Sequence, residues 1–314
     1  MNKKYKLSEY NYFFTDGTNE YVYNTFSGAL SKLLPGYKER LINFKSYTDE
    51  IENDFYKVAI RNGFIIRKDV NEKEILDFYR GNTVCQDKQV HYEILTTTGC
   101  NARCFYCFEE GVKPKTMSIE TAEEVCNFII SHSKNNERIL IQWFGGEPLL
   151  NPEVITYITK RLDSELASKG IKIVYQMTTN GSLITDKIVN LFKNIWHISR
   201  VQITLDGCKK EYEKRKAYIN LPNAFEQVID NINNLAESGI NVAIRLNYDL
   251  NNSEEIINLI DYLDTAIIKK EKVICYAYPL FEVGSTKSPD ERDIALLLVD
   301  INKRIIKSGL AHSK

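Results

Sequence analysis

From residue 90 onward, apolar runs and helical stretches alternate six times, and no other feature limits the fold as much. Strand-like runs lie near 90–98, 138–144, 171–178, 199–205, 241–248 and 273–280. The stretches between them carry helical spacing. Phe225, Val228, Ile229, Ile232, Leu235 and Ala236 make one apolar stripe, which stops before Gly239. Another helix opens at Asn151-Pro152, an N-cap followed by proline at the first helical position, and ends before Gly170. Such alternation predicts an α/β fold, a parallel sheet with right-handed crossovers. Six units are too few for a closed eight-unit barrel. Ligands of these folds gather beyond the C-terminal strand ends.

Residues 1–80 read differently. Tyr10 to Phe14 and Tyr21 to Tyr23 flank Asp16-Gly17, the pattern of a β-hairpin. A helix is expected from Ser27 to Leu34, and another from Phe55 to Arg61, ending at Asn62-Gly63 before the strand Phe64-Ile65-Ile66. Together they suggest a small winged-helix-like module, joined by a polar linker over 81–89 to a core over 90–314.

The 314 residues are 43% hydrophobic and 26% charged, ordinary for a globular protein with a sizeable core. Basic and acidic residues nearly cancel, 41 against 42, so nothing points to a nucleic-acid surface. The N-terminus lacks the apolar segment of a secretory signal. No apolar run approaches the ~18 residues of a membrane span. The expectation is a cytoplasmic protein with neither nucleic acid nor membrane as partner.

Three of the seven cysteines, Cys100, Cys104 and Cys107, sit just after the first strand of the alternating region. Thiolates so close in sequence grip one object only if the backbone wraps around it. Zinc and iron–sulfur clusters both prefer four ligands, and no fourth stands nearby. Cys126 falls on the apolar stripe Ala122, Val125, Ile129, Ile130, which marks it as core. Cys85, Cys208 and Cys275 are isolated. The loop alone is compatible with an iron–sulfur site with one open position, or with a structural zinc site.

The run Cys100-Asn-Ala-Arg-Cys104-Phe-Tyr-Cys107 resembles the signature of the radical S-adenosylmethionine (SAM) enzymes. Gly145-Gly146-Glu147-Pro148, Thr178-Thr179-Asn180-Gly181 and Thr204-Leu-Asp206-Gly207 resemble that family's other cofactor-binding segments, in the expected order. The resemblance covers roughly residues 90 to 310 and implies an open six-unit (β/α)6 partial TIM barrel. The motif wording and the N-terminal module look most like the SPASM-type peptide and sulfatase maturases. That branch usually carries a cysteine-rich C-terminal region with auxiliary clusters. No cysteine follows Cys275 here, so a form lacking that region is expected.

The resemblance implies a [4Fe–4S] cluster on Cys100, Cys104 and Cys107, with SAM on its fourth iron. It implies Tyr106 against the adenine, and Gly145, Gly146 and Glu147 toward the cofactor ammonium. Asn180 would meet the ribose, and Thr204 with Lys216 the carboxylate. Lys216 stands where the branch has an arginine, and Arg215 beside it leaves open which cation serves. Arg245 is expected either to face the site or to pair with a carboxylate in the barrel. One electron from the cluster would cleave SAM to a 5′-deoxyadenosyl radical, which abstracts a hydrogen from a peptide or protein side chain. Implied partners are a peptide whose leader docks on residues 1–80, and an electron donor such as ferredoxin or flavodoxin. No residue is singled out as catalytic toward the substrate. Alternatives are a small-metabolite or RNA substrate on the same fold, or a non-catalytic zinc-stabilised binding protein.

Overall fold

The computed structural model describes residues 5–44, 54–86, 89–134, 138–280 and 291–311. The chain divides into two compact units, Met1–Asp87 and Lys88–Lys314.

The first unit contains β1 (Tyr5–Leu7), β2 (Asn11–Thr15), β3 (Glu20–Asn24), β4 (Leu30–Leu33), α1 (Tyr37–Ile42), α2 (Asp54–Arg61), β5 (Ile65–Arg67) and α3 (Glu72–Gln86). The expected hairpin is β2–β3, paired antiparallel with Tyr12 opposite Tyr23. Its turn is held by Asp16, whose Oδ1 accepts from the backbone N–H groups of Thr18 and Asn19 at 2.8 and 2.7 Å. The stretch Ser27 to Leu34, expected as a helix, is instead the turn into β4, which pairs with β3. Gly28 takes a left-handed φ of 74° there. The alternation Leu30-Ser-Lys-Leu33 then puts Leu33 into the core and Leu30 on the open face. A second small sheet, β1 against β5, was not legible in the sequence. The linker expected over 81–89 is also corrected: α3 runs on to Gln86 and the next strand begins at Gln89. Gly81, Asn82 and Thr83 are weak helix formers, but propensity is a small term that context overrides. Cys85 lies on this helix, with its side chain outside the described residues.

Asn24, fully buried, joins the pieces of this unit. Its Nδ2 donates to Ser8 Oγ, Asn11 Oδ1 and the Gly63 carbonyl at 2.8–3.1 Å. Its Oδ1 accepts from the N–H groups of Phe26 and Ser27.

The second unit runs β6 (Gln89–Leu95), α4 (Ile119–His132), β7 (Arg138–Phe144), α5 (Pro152–Leu166), β8 (Lys172–Thr179), α6 (Asp186–Asn194), β9 (Ile198–Leu205), α7 (Lys209–Lys216), α8 (Ala224–Glu237), β10 (Asn241–Tyr248), α9 (Ser253–Ala266), β11 (Val273–Pro279) and α10 (Glu291–Lys307). All six strands are parallel, in the spatial order β11-β10-β9-β8-β7-β6. Chain order equals sheet order, the arrangement of an open, partial TIM barrel whose edges are β6 and β11. One side of each strand packs on helices: Ile139, Ile141, Trp143, Val201, Ile203 and Leu205 are fully buried. The alternate positions, among them Gln142, Thr178, Gln202, Thr204 and Arg245, are half-buried along the opposite wall. Cys126 is fully buried in the core, as its helical stripe implied.

Asn24→Ala should destabilise the first unit by about 1–3 kcal/mol for each buried group left without its bond. Hydrogen exchange should show lost protection in β2–β5, with protection in β6–β11 unchanged.

Candidate functional site

Parallel strands present their C-terminal ends along one rim, and four adjacent strands carry the motif segments there. The cysteine loop follows β6, Gly145-Gly146 follow β7, and Asn180 follows β8. Thr204 is the penultimate residue of β9, with Asp206 just beyond it. Lys216 ends α7, which returns toward the rim.

Backbone contacts clamp the first two segments together. Gly146 N donates to the Thr97 carbonyl and Glu147 N to the Gly99 carbonyl, each at 2.9 Å. A Cβ on Gly145 would lie 2.2 Å from Thr97 O, and one on Gly146 2.3 Å from Gly99 O. Only glycine permits that approach, and Gly145 also needs its φ of 129°.

Glu147 is fully buried, and its carboxylate is committed within the protein. Oε1 accepts from Thr179 Oγ1 at 2.7 Å and Leu149 N at 3.1 Å, and Oε2 from Asn180 N at 2.8 Å. Burial pushes its pKa up to about 7, against the pull of those hydrogen bonds. The side chain expected to reach a cofactor ammonium therefore joins the ends of β7 and β8 instead. Asn180 is spent likewise: its Nδ2 donates to Asn101 Oδ1 at 2.7 Å and lies 3.9 Å from Cys100 Sγ, while its Oδ1 accepts from Ser182. Asn180 thus brackets the cysteine loop against β8.

The far side of the loop rests on α7. Arg103 N donates to the carbonyls of Lys216 and Ala217 at 2.9 and 3.2 Å, and Ile219 N to the Asn101 carbonyl at 2.8 Å. Ala217 takes a left-handed φ of 43° to make that turn.

Two side chains read as cofactor contacts meet here with a third that was not. Lys216 Nζ donates to the Tyr106 hydroxyl at 2.8 Å and lies 3.3 Å from Asp206 Oδ2. The Tyr106 hydroxyl donates to the same Oδ2 at 2.7 Å. Lys216 and Asp206 are both buried. Burial works against the Lys216 charge, but Asp206 outweighs it and lifts the ammonium well above its ordinary pKa. Arg215 pairs elsewhere, with Nε to Glu211 at 2.5 Å and Nη1 to Asp249 at 2.7 Å. Both candidate cations border the cysteine loop: the Arg215 guanidinium lies 5.1 Å over the Phe105 ring, and Lys216 is the one bonded to Tyr106 and Asp206. The Thr204 hydroxyl is half-buried and has no side-chain partner among the described residues. Arg245 pairs with no carboxylate among the described residues; it lies 3.9 Å over the Tyr278 ring and donates to Asn247 Oδ1.

The cluster's fit rests on the donor set. Cys100, Cys104 and Cys107 are unpaired and half-buried on one short loop. Burial holds the Cys100 and Cys104 thiols above their ordinary pKa. Among the described residues no three His, Cys, Asp or Glu side chains are already gathered as metal ligands. Asp206 Oδ1 is buried without a hydrogen-bond partner. A buried acceptor left unpaired costs about 1–3 kcal/mol, so Oδ1 has room for a further donor. Asp206 was legible only as part of Leu-Asp-Gly; its position at a strand end was the signal.

The model of the radical SAM superfamily matches residues 94–263, so the chain belongs to that superfamily. The cofactors of that superfamily are a [4Fe–4S] cluster and SAM. A stretch of 180 residues is 32% identical to the radical SAM cyclopropyl synthase TigE of Paramaledivibacter caminithermalis, covering 50% of this chain and 38% of that one. A stretch of 203 residues is 25% identical to the Fe-coproporphyrin III synthase of Methanosarcina barkeri, covering 64% and 46%. The chain therefore spans less than half the length of these two relatives. The structure of anSMEcpe with bound AdoMet and Kp18Cys peptide shares the fold, with a TM-score of 0.59 at 19% identity, over 72% of this chain and 63% of that one. No helix among the described residues is long and apolar enough to cross a membrane.

Gly146→Ala should force the Gly99 carbonyl away and cost about 1–3 kcal/mol by overpacking. Thermal unfolding should show the loss, and iron uptake on anaerobic reconstitution should fall with it.

Proposed function

We propose that this chain uses a [4Fe–4S] cluster on Cys100, Cys104 and Cys107 to cleave SAM reductively and abstract hydrogen from a peptide or protein side chain. The observation that carries the cofactor part is the rim itself, where backbone bonds hold Gly145-Gly146 and α7 against the cysteine loop. Cys100, Cys104 and Cys107 would hold the cluster, whose chemistry would be to supply the one electron that splits the SAM sulfonium into methionine and a 5′-deoxyadenosyl radical. The protein's part is to bind, orient and exclude water. Backbone groups of Gly145 and Gly146 take the cofactor ammonium, with Glu147 fixing their position from beneath. Lys216 and the free Thr204 hydroxyl take the carboxylate, and Asp206 holds Lys216 in place. Tyr106 would give its ring to the adenine, and Asn180, whose side chain is bonded to Asn101 and Ser182, would border the ribose.

The peptide part draws support from two sources. The fold is shared with an enzyme solved with a peptide bound. In the first unit, Tyr12, Phe14, Tyr23 and Leu30 stand exposed on one face of the β2–β3–β4 sheet, and β2 is a free edge. A leader peptide added to that edge would set its side chains beside those rings. This is a SPASM-type maturase reading, with ferredoxin or flavodoxin as electron donor. A small-molecule substrate is the second reading, favoured by the match to Fe-coproporphyrin III synthase.

Replacing Cys100, Cys104 and Cys107 together by Ala should abolish iron–sulfur absorbance; residual clusters would relocate the site. Lys216→Ala should weaken SAM about 10- to 150-fold, the worth of one charge-assisted bond. It should weaken a decarboxylated SAM analogue much less, and equal losses for both would remove Lys216 from the carboxylate. Tyr12→Ser with Phe14→Ser should keep 5′-deoxyadenosine formation with SAM alone and raise the KM for leader-bearing peptides. An unchanged KM would move recognition away from β2.

A further inference from the structure

The inner wall of the barrel carries a second polar site, below the rim and unlike an ordinary sheet interior. Parallel sheets are usually apolar on both faces, and barrel interiors are filled by branched aliphatic side chains. Here Gln142, Gln176, Arg200, Gln202 and Tyr276 line a cavity of about 340 Å³, large enough for a small ligand. Gln176 and Arg200 stand opposite each other in the β8–β9 register. Arg200 precedes the end of β9 by five residues, roughly 16 Å of strand. That depth separates it from Asp206 and the cysteine loop.

The wall's hydrogen-bonding capacity is largely unspent. Gln202 Oε1 accepts from the Tyr276 hydroxyl at 2.6 Å, which leaves its amide donors open. Gln142 donates to Thr178 Oγ1 at 3.0 Å and keeps its carbonyl free. Gln176 has no side-chain partner, and Arg200 no carboxylate, among the described residues. A guanidinium with open donors, flanked by amide donors, is complementary to a carboxylate taken in bidentate geometry. Ala243 and Ile274 supply an apolar floor for a short carbon chain.

We infer that this cavity binds a short carboxylate-bearing chain, with Arg200 gripping the carboxylate and Gln176 and Gln202 orienting it. The same chemistry comes from a free dicarboxylic acid or from an acidic side chain on a peptide reaching into the barrel.

Calorimetry on the reconstituted, SAM-loaded enzyme tests this with three probes: glutarate, N-acetylglutamic acid α-amide and the neutral glutaramide. At least one acid should bind saturably, and glutaramide more weakly. Glutarate alone would assign the site to a free acid; binding of the acetylated amide would admit a peptide-borne side chain. Arg200→Gln should lower the acid's affinity about 10- to 150-fold, and Arg200→Lys should restore part of it. Arg200 is exposed and has no ion pair among the described residues, so SAM affinity should stay unchanged in both variants and report an intact fold. Absence of saturable binding by either acid, or equal affinity in Arg200→Gln, overturns the assignment. None of these measurements depends on whether the enzyme's substrate is a peptide.

Discussion

The Glu147 carboxylate is the joint on which the rim depends. A charge-capable group with no solvent exposure is costly unless several donors surround it, and this one has Thr179, Leu149 N and Asn180 N. Two of those donors come from the end of β8, and the third from the turn that Glu147 itself opens. Satisfying one carboxylate therefore ties the segment after β7 to the end of β8, and with it the glycine turn to the Asn180 bracket. The backbone N–H groups of Gly146 and Glu147 then hold the strand-to-loop passage from Thr97 to Gly99. A single buried acid thus sets the spacing between three loops that share no sequence proximity.

Much of this was legible from the chain alone, for a physical reason. Parallel strands covered by helices need continuous apolar runs, and each crossover needs a helical stripe, so the six units announced themselves. The glycine pair was legible because close backbone approach admits no Cβ. What escaped notice was whatever depends on long-range partners. Motif position gave Glu147 a ligand's role, whereas its orientation depended on donors from β8, 32 and 33 residues away. Asp206 gained meaning only once Tyr106 and Lys216, 100 residues away and 10 residues on, converged on its carboxylate. The different surroundings of Lys216 and Arg215 were likewise closed to sequence, since Asp249, which joins Glu211 in pairing with the guanidinium, lies just beyond β10.

In the first unit the failures were of another kind. Leu30 to Leu33 has too few residues to display a period, and its state is decided by the partner strand β3. The pairing of β1 with β5 joins residues some 60 positions apart, beyond any local signal. Asn24 looked like an ordinary turn residue, yet it bonds five groups on four segments. The hairpin, by contrast, carried its own turn chemistry in Asp16-Gly17 and was plain from the outset.

Lys216 touches the cysteine loop twice, through its ammonium at Tyr106 and through its carbonyl at Arg103 N. The last turn of α7 and the loop are thereby one mechanical body, with the cation at one end and the thiols at the other. Coupling of this sort is reciprocal: whatever tightens one end must tighten the other by the same free energy. A molecule that contacts the ammonium therefore acts on a residue that also holds the frame around the sulfurs. Occupancy at one end and order at the other are then two readings of a single equilibrium.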